Sequence, residues 1–209
     1  VYAEVQSISR GIKTCPHEIM FSWDLPLALT VGGRSYHIRT DFRAALDIMA
    51  AFNDPNLDNA GKMQVMVEIL YEEIPPEECL EEAIKQALWY LDCGKKEDGR
   101  KRPQVMDWEQ DAPIIFPAIN KVAGREVREP GQYMHWWTFV GYFEEIEEGT
   151  FSQVLAIRQK RAKGKKLEQW EREFLNDNQA LVNLKKKMSE EEQDLWQQEQ
   201  DAVDALFEK

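Results

Sequence analysis

The chain has 209 residues, of which 43% are hydrophobic and 31% charged, and its formal net charge is −12. This length and composition are typical of a folded protein with one or two domains and argue against a disordered chain. No apolar run approaches the ~20 residues of a membrane-spanning helix, and Cys15, Cys79 and Cys93 are too few and too scattered for a disulfide framework or a structural zinc site.

The N-terminal part predicts an extension followed by a hairpin. Residues 1–19 are charged and lack the apolar centre of a secretory signal, so we expect a flexible extension of a cytosolic protein. From Leu25 to Arg39 apolar residues alternate with polar ones on both sides of Gly32 and Gly33. Two glycines supply the positive φ angles of a tight turn, so this pattern predicts a β-hairpin.

Helical spacing then dominates the chain. The first predicted helices run from Thr40, as N-cap, to about Phe52, from Asp58 to about Glu73, and from Pro76 to Gly94. A lone hairpin is marginal in water, so its apolar face must lie on these helices. Residues 20–94 are therefore predicted to form one hairpin-plus-three-helix unit.

A polar stretch at residues 95–106 predicts a charged loop, because its first ten residues include both Gly and Pro and lack apolar side chains. Residues 107–188 predict a second helical unit. The first expected helix begins with Asp111 as N-cap and bends or restarts at Pro117. A second runs from about Gln132 to Gly149, and a third opens with a capping box formed by Thr150 and Gln153.

Residues 189–209 predict an acidic C-terminal helix that opens with a second capping box, at Ser189 and Glu192. This helix is too polar to be stable alone and needs a partner surface, in the same chain or in another. The predicted fold class is mainly α: a helical bundle with a short N-terminal β-hairpin.

The sequence contains no motif of a common enzyme class: no GxSxG, no GxxxxGK[ST], no GxGxxG after a strand and no HExxH. His17, His37 and His135 are scattered, and Cys15 with His17 offers only two metal ligands. Neighbouring glutamates such as those between Glu144 and Glu148 are more typical of a solvated helix face than of paired catalytic carboxylates. We predict a non-enzymatic protein without metal or cofactor.

Four tryptophans are candidate protein-binding residues: Trp136, Trp137, Trp170 and Trp196. Trp136 and Trp137 are adjacent on a predicted helix and point about 100° apart, so one can fill the core while the other lies at its margin. A core role is the simpler interpretation for this pair. The alternative is an aromatic anchor for a protein partner.

Charge is segregated along the chain. Asp41–Asp92 has 12 acidic and 3 basic residues, Arg158–Lys187 has 4 acidic and 10 basic, and Met188–Lys209 has 8 acidic and 1 basic. Blocks of alternating sign suit self-association or a charged partner. The basic block contains Trp170 and Phe174, which permits nucleic-acid binding, but the acidic helix that follows opposes it and makes it the least favoured alternative.

Several stretches resemble a known family. They are Leu25 to Phe42, with Tyr36-His-Ile-Arg-Thr-Asp-Phe42, and the later Met134-His-Trp-Trp-Thr-Phe139, followed by Gly149-Thr-Phe151 and Ile157-Arg158. They are similar to the bacteriophage gp fifteen family of tailed phages infecting Gram-positive bacteria, and the resemblance extends from about Met20 to Met188.

The resemblance implies a role in tail assembly, because the genes of this family lie between those for the major tail protein and the tape measure. This position implies a chaperone-like, non-enzymatic protein that binds the tape measure protein or tail subunits in the host cytoplasm. A structural component retained in the finished tail is the alternative. The resemblance supplies no binding residues.

Overall fold

The computed structural model describes residues 24–95, 103–185 and 187–207. Within these ranges nine helices follow one two-stranded antiparallel hairpin, which confirms the predicted fold class. The predicted N-terminal extension, residues 1–19, and residues 96–102 of the predicted charged loop lie outside the described residues. No helix in the described ranges combines the length and the apolar character needed to cross a membrane.

The hairpin consists of β1 (Ala28–Val31) and β2 (Arg34–His37), in a register that pairs Leu29 with Tyr36. Gly32 and Gly33 have φ angles of 57° and 76°, so the turn uses two successive left-handed residues, as the Gly-Gly pair predicted. Leu29, Val31 and Tyr36 are buried, and β1 packs on the third helix.

Three helices follow: α1 (Phe42–Phe52), α2 (Asn59–Leu70) and α3 (Leu80–Leu91), the last preceded by a 3₁₀ turn at Glu77–Cys79. The predicted N-cap of α1 was wrong by one residue. Asp41 caps the helix, because its Oδ1 accepts a hydrogen bond from the Arg43 N–H at 3.0 Å. The Thr40 hydroxyl is instead 2.7 Å from the hydroxyl of Tyr133.

Five helices make up the next part of the chain: α4 (Ala112–Ala123), α5 (Trp136–Glu144), α6 (Thr150–Ala162), α7 (Gln169–Asp177) and α8 (Gln179–Val182). Helix α4 continues through Pro117 without restarting. Helix α5 begins at Trp136 rather than near Gln132, because His135 caps it. Thr150 is the first helical residue of α6 and not its N-cap, which is Gly149.

The two predicted units share one hydrophobic core. Phe42 on α1 stacks on Phe139 of α5 with ring centroids 4.4 Å apart, and α1 packs on both α2 and α5. A smaller cluster of Val154, Ile157 and Val182 joins α6 to α8. The polar loop is therefore a connection across one core rather than a boundary between two.

The last helix, α9 (Glu190–Phe207), begins with the capping box predicted at Ser189 and Glu192. The Ser189 N–H donates to the Glu192 carboxylate at 3.0 Å, and the Glu192 N–H donates to the Ser189 hydroxyl at 3.2 Å. At the start of the helix the Glu190 N–H donates to Asn56 Oδ1 at 2.9 Å. This contact places the beginning of α9 beside the turn between α1 and α2.

Candidate protein-binding surfaces

The structure separates the adjacent tryptophans of α5. Trp136 is completely buried and donates from Nε1 to the Leu91 carbonyl oxygen at 2.9 Å. It is therefore no longer a candidate for binding a partner, because its indole has no exposed surface. Trp137 lies at the margin of the core, where its Nε1 donates to the Tyr90 carbonyl oxygen at 2.8 Å and its ring contacts Trp89.

His135 caps the start of α5 through hydrogen bonds that require one protonation state of its imidazole. Its Nδ1 accepts the Trp137 N–H at 3.0 Å, so this ring nitrogen carries no proton, and Nε2 lies 3.0 Å from the Pro26 carbonyl oxygen as the donor. Burial lowers the pKa of His135, an effect that the hydrogen bond to Pro26 partly opposes. The neutral imidazole is thus the form that caps the helix.

A buried ion pair joins the basic segment to the main core, and the sequence analysis missed it. Arg158 belongs to the basic block of the sequence, and Asp111 is the N-cap residue of α4, as predicted. The Asp111 carboxylate, however, makes no capping bond to the helix and accepts from the two Arg158 Nη atoms at 2.6 and 2.9 Å. The spacing of Phe151, Val154 and Arg158 places Arg158 on the buried face of α6, and this was the available signal.

Beyond this ion pair, the turn between α6 and α7 carries the exposed cations Lys163, Lys165 and Lys166. Trp170, in the first turn of α7, follows them and is 51% exposed. We call these four residues the basic tip. At the base of the tip Lys160 pairs with the buried Glu171 at 2.7 Å and holds the pKa of that carboxyl below its usual value.

The linker between α8 and α9 is fixed along residues 107–110. Gln110 Nε2 donates to the Asn183 carbonyl oxygen and Gln110 Oε1 accepts the Lys185 N–H, both at 2.8 Å. The Lys187 ammonium then pairs with Glu109 and lies 3.6 Å from Asp107. These contacts direct the chain toward Asn56, where α9 begins.

An open groove of about 690 Å³ lies between this linker and the turn that joins α1 to α2. Its apolar wall consists of Ala50, Ala51, Pro55, Leu57 and Met188, and its polar residues are Asp54, Glu109, Lys185, Lys187 and Gln193. Gln193 belongs to α9, whose next exposed apolar side chains are Leu195 and Trp196. The groove can therefore accept a partly apolar segment flanked by charges of either sign.

The described part of the chain holds no group of three or more His, Cys, Asp or Glu side chains placed to bind a metal ion. Cys79 and Cys93 are free thiols. Burial raises the pKa of Cys93 to about 12, so this thiol is protonated at neutral pH and is a poor nucleophile. The surfaces that remain as candidates are the groove, α9 and the basic tip, all suited to protein contacts.

A family model described as Bacteriophage Gp15 protein matches residues 22–184. This range includes every described element from β1 to α8 and ends before α9. No curated protein and no solved structure matches the chain.

Proposed function

Since the chain belongs to the bacteriophage Gp15 family, a family of phage structural or morphogenesis proteins, we propose that it is a tail assembly chaperone. In this role it is non-enzymatic. It holds a segment of the tape measure protein, or of a tail subunit, in the host cytoplasm until the tail is assembled around the tape measure.

The observation that carries this proposal is the open groove beside the linker. Its apolar wall offers a place for hydrophobic side chains of an unassembled protein, and the charges at Asp54, Glu109, Lys185 and Lys187 suit the polar flanks of such a segment. A chaperone must also release its client. A shallow groove of this size suits a reversible contact better than a large apolar interface would.

Capture of the tape measure protein tests the proposal. The tagged chain is produced together with the tape measure protein of the same phage and recovered by its tag. We expect the wild-type chain to retain the tape measure protein and Met188→Glu, which places a carboxylate in the groove wall, to lose most of it. Leu27→Glu is the matched control, because Leu27 is exposed just before β1 and does not line the groove.

Two results would contradict the proposal. Equal capture by wild type and Met188→Glu would remove the groove as the binding site, and no capture by any variant would remove the tape measure protein as the client. Mass spectrometry of purified phage particles distinguishes a chaperone from a structural component of the tail. A chaperone is expected to be absent from them, whereas a fixed number of copies per particle would assign the chain to the tail structure.

A further inference from the structure

We propose that copies of this chain associate head to tail, with α9 of one copy docked on the basic tip of the next. The contact joins two surfaces that the fold presents on different elements: an acidic helix with exposed apolar side chains, and a cluster of lysines with an exposed tryptophan. It uses none of the residues that line the groove in which we place the client, although Gln193 of α9 belongs to that groove.

Helix α9 supplies the acidic partner. Met188–Lys209 contains 8 acidic residues and 1 basic residue. At its start the side chains of Glu191 and Asp194 are exposed, and Leu195 and Trp196 are 61% and 52% exposed. Such a polar helix gains little stability by itself, so the contact that covers Leu195 and Trp196 also stabilises the helix.

The basic tip supplies the complementary surface. Lys163, Lys165 and Lys166 are exposed, and within the described part of the chain they form no ion pair, although Lys160 nearby is paired with Glu171. Trp170 lies four residues after Lys166 and is half exposed. An exposed tryptophan that follows three exposed lysines is suited to an acidic helix that also carries large apolar side chains, because the apolar contact excludes water from the charges.

The path of the linker favours docking of α9 on the basic tip of a second copy over docking on the tip of its own chain. Asn183 and Lys185 bond to Gln110, Lys187 pairs with Glu109, and α9 then begins beside Asn56 on the α1–α2 turn. The tip belongs to the α6–α7 turn, whose helices pack on α4 and α8. In this arrangement none of Lys163, Lys165 and Lys166 forms an ion pair with α9 of its own chain within the described residues.

The geometry of the contact determines the kind of assembly. The two surfaces are different, so each copy retains a free tip at one end and a free α9 at the other, and association continues unless the ring closes. Exposed ion pairs are individually weak and are screened beyond ~8 Å at physiological salt. We therefore expect weak, salt-sensitive association to which Trp170 and Trp196 add an apolar component.

Charge reversal and mixing test the proposal by sedimentation velocity of the full chain. The tip variant carries Lys163→Glu, Lys165→Glu and Lys166→Glu, and the tail variant carries Glu191→Lys and Asp194→Lys. We expect the wild type to associate at low salt, and each variant alone to associate at least about tenfold more weakly, which is ~1.4 kcal/mol. An equimolar mixture should associate again, because each reversed surface then meets an oppositely charged one.

The matched control is Glu77→Lys with Glu78→Lys, which reverses two exposed acidic residues on the 3₁₀ turn before α3. We expect this variant to associate like the wild type, and far-UV circular dichroism establishes that every variant is folded. A wild type that is monomeric at all concentrations and salts would overturn the proposal, as would a mixture that stays monomeric. Loss of association in the control variant would assign the contact to the acidic surface near α3 instead of α9.

Discussion

Replacing Arg158 with methionine should lower the free energy of unfolding by about 3–5 kcal/mol, the usual cost of removing one partner of a buried ion pair. The side chains of Arg158 and Asp111 are 5% and 0% exposed. The guanidinium also donates to the carbonyl oxygens of Val105 at 3.1 Å, Leu181 at 2.8 Å and Val182 at 2.7 Å. Arg158 therefore connects α4, α6, α8 and the segment before α4.

The loss is electrostatic rather than steric, because methionine retains much of the apolar volume of the arginine stem. After the substitution the Asp111 carboxylate keeps the Asp107 N–H, at 2.9 Å, but loses both charged donors. Three carbonyl oxygens lose a donor at the same time. A buried polar group left without its partner costs about 1–3 kcal/mol, so a total of several kcal/mol is expected even though the individual costs do not add.

Urea unfolding at neutral pH measures the effect. With a slope of about 2 kcal/mol per molar, a loss of about 4 kcal/mol lowers the midpoint by ~2 M. Arg161→Met is the matched control, because Arg161 is an exposed residue of the same helix that donates to Asn183 Oδ1 at 2.7 Å, and it should cost less than about 1 kcal/mol. Adding Asp111→Leu to Arg158→Met should recover part of the loss. The reasoning is refuted if Arg158→Met lies within about 1 kcal/mol of the wild type, or if Arg161→Met costs as much.

Three further predictions follow from single residues. Thermal unfolding should show a loss of stability as the pH falls below about 6.5, because the lowered pKa of His135 means that the unfolded chain binds a proton more tightly than the folded one. This part of the pH dependence should disappear in His135→Asn. An NMR titration that places the His135 pKa above 6.5 would contradict the prediction. In urea unfolding, Trp136→Ala should cost about 3–5 kcal/mol and Trp170→Ala less than about 1 kcal/mol, because only the first creates a cavity; similar losses would show that the assigned burial is wrong. Gly32→Ala should lower the melting temperature more than Gly33→Ala. A methyl group at either position costs about 1–2 kcal/mol at positive φ, and at Gly32 its carbon would also lie 2.8 Å from Cys79 Sγ. An equal decrease would argue against that contact.

Features that depend on neighbouring residues could be predicted from the sequence. The Gly32-Gly33 pair predicted the hairpin turn, because two successive left-handed residues are a local requirement. The capping box at Ser189 and Glu192 was predicted for the same reason, since both of its hydrogen bonds close within one helical turn. Helical spacing also predicted that one of the two adjacent tryptophans, Trp136 and Trp137, fills the core while the other lies at its edge.

Features that depend on distant residues were decided by the tertiary structure. Asp41 caps α1 in place of Thr40, because its carboxylate also accepts the Met134 N–H at 3.2 Å while Thr40 meets Tyr133. The two predicted units form one core, because α5 packs on α1 across the polar loop.

The same distinction between local and distant determinants applies to the candidate surfaces. Charge segregation in the sequence predicted that acidic and basic blocks would matter, and the aromatic residues offered four tryptophans as candidate anchors. Counting charges could not separate the buried Arg158 from the exposed Lys163, because both occur in the same basic run; only the helical spacing of Arg158 with Phe151 and Val154 indicates its burial. Composition determines how much charge a segment carries, whereas desolvation by residues far away in the sequence decides which of those charges become structural and which stay available to a partner.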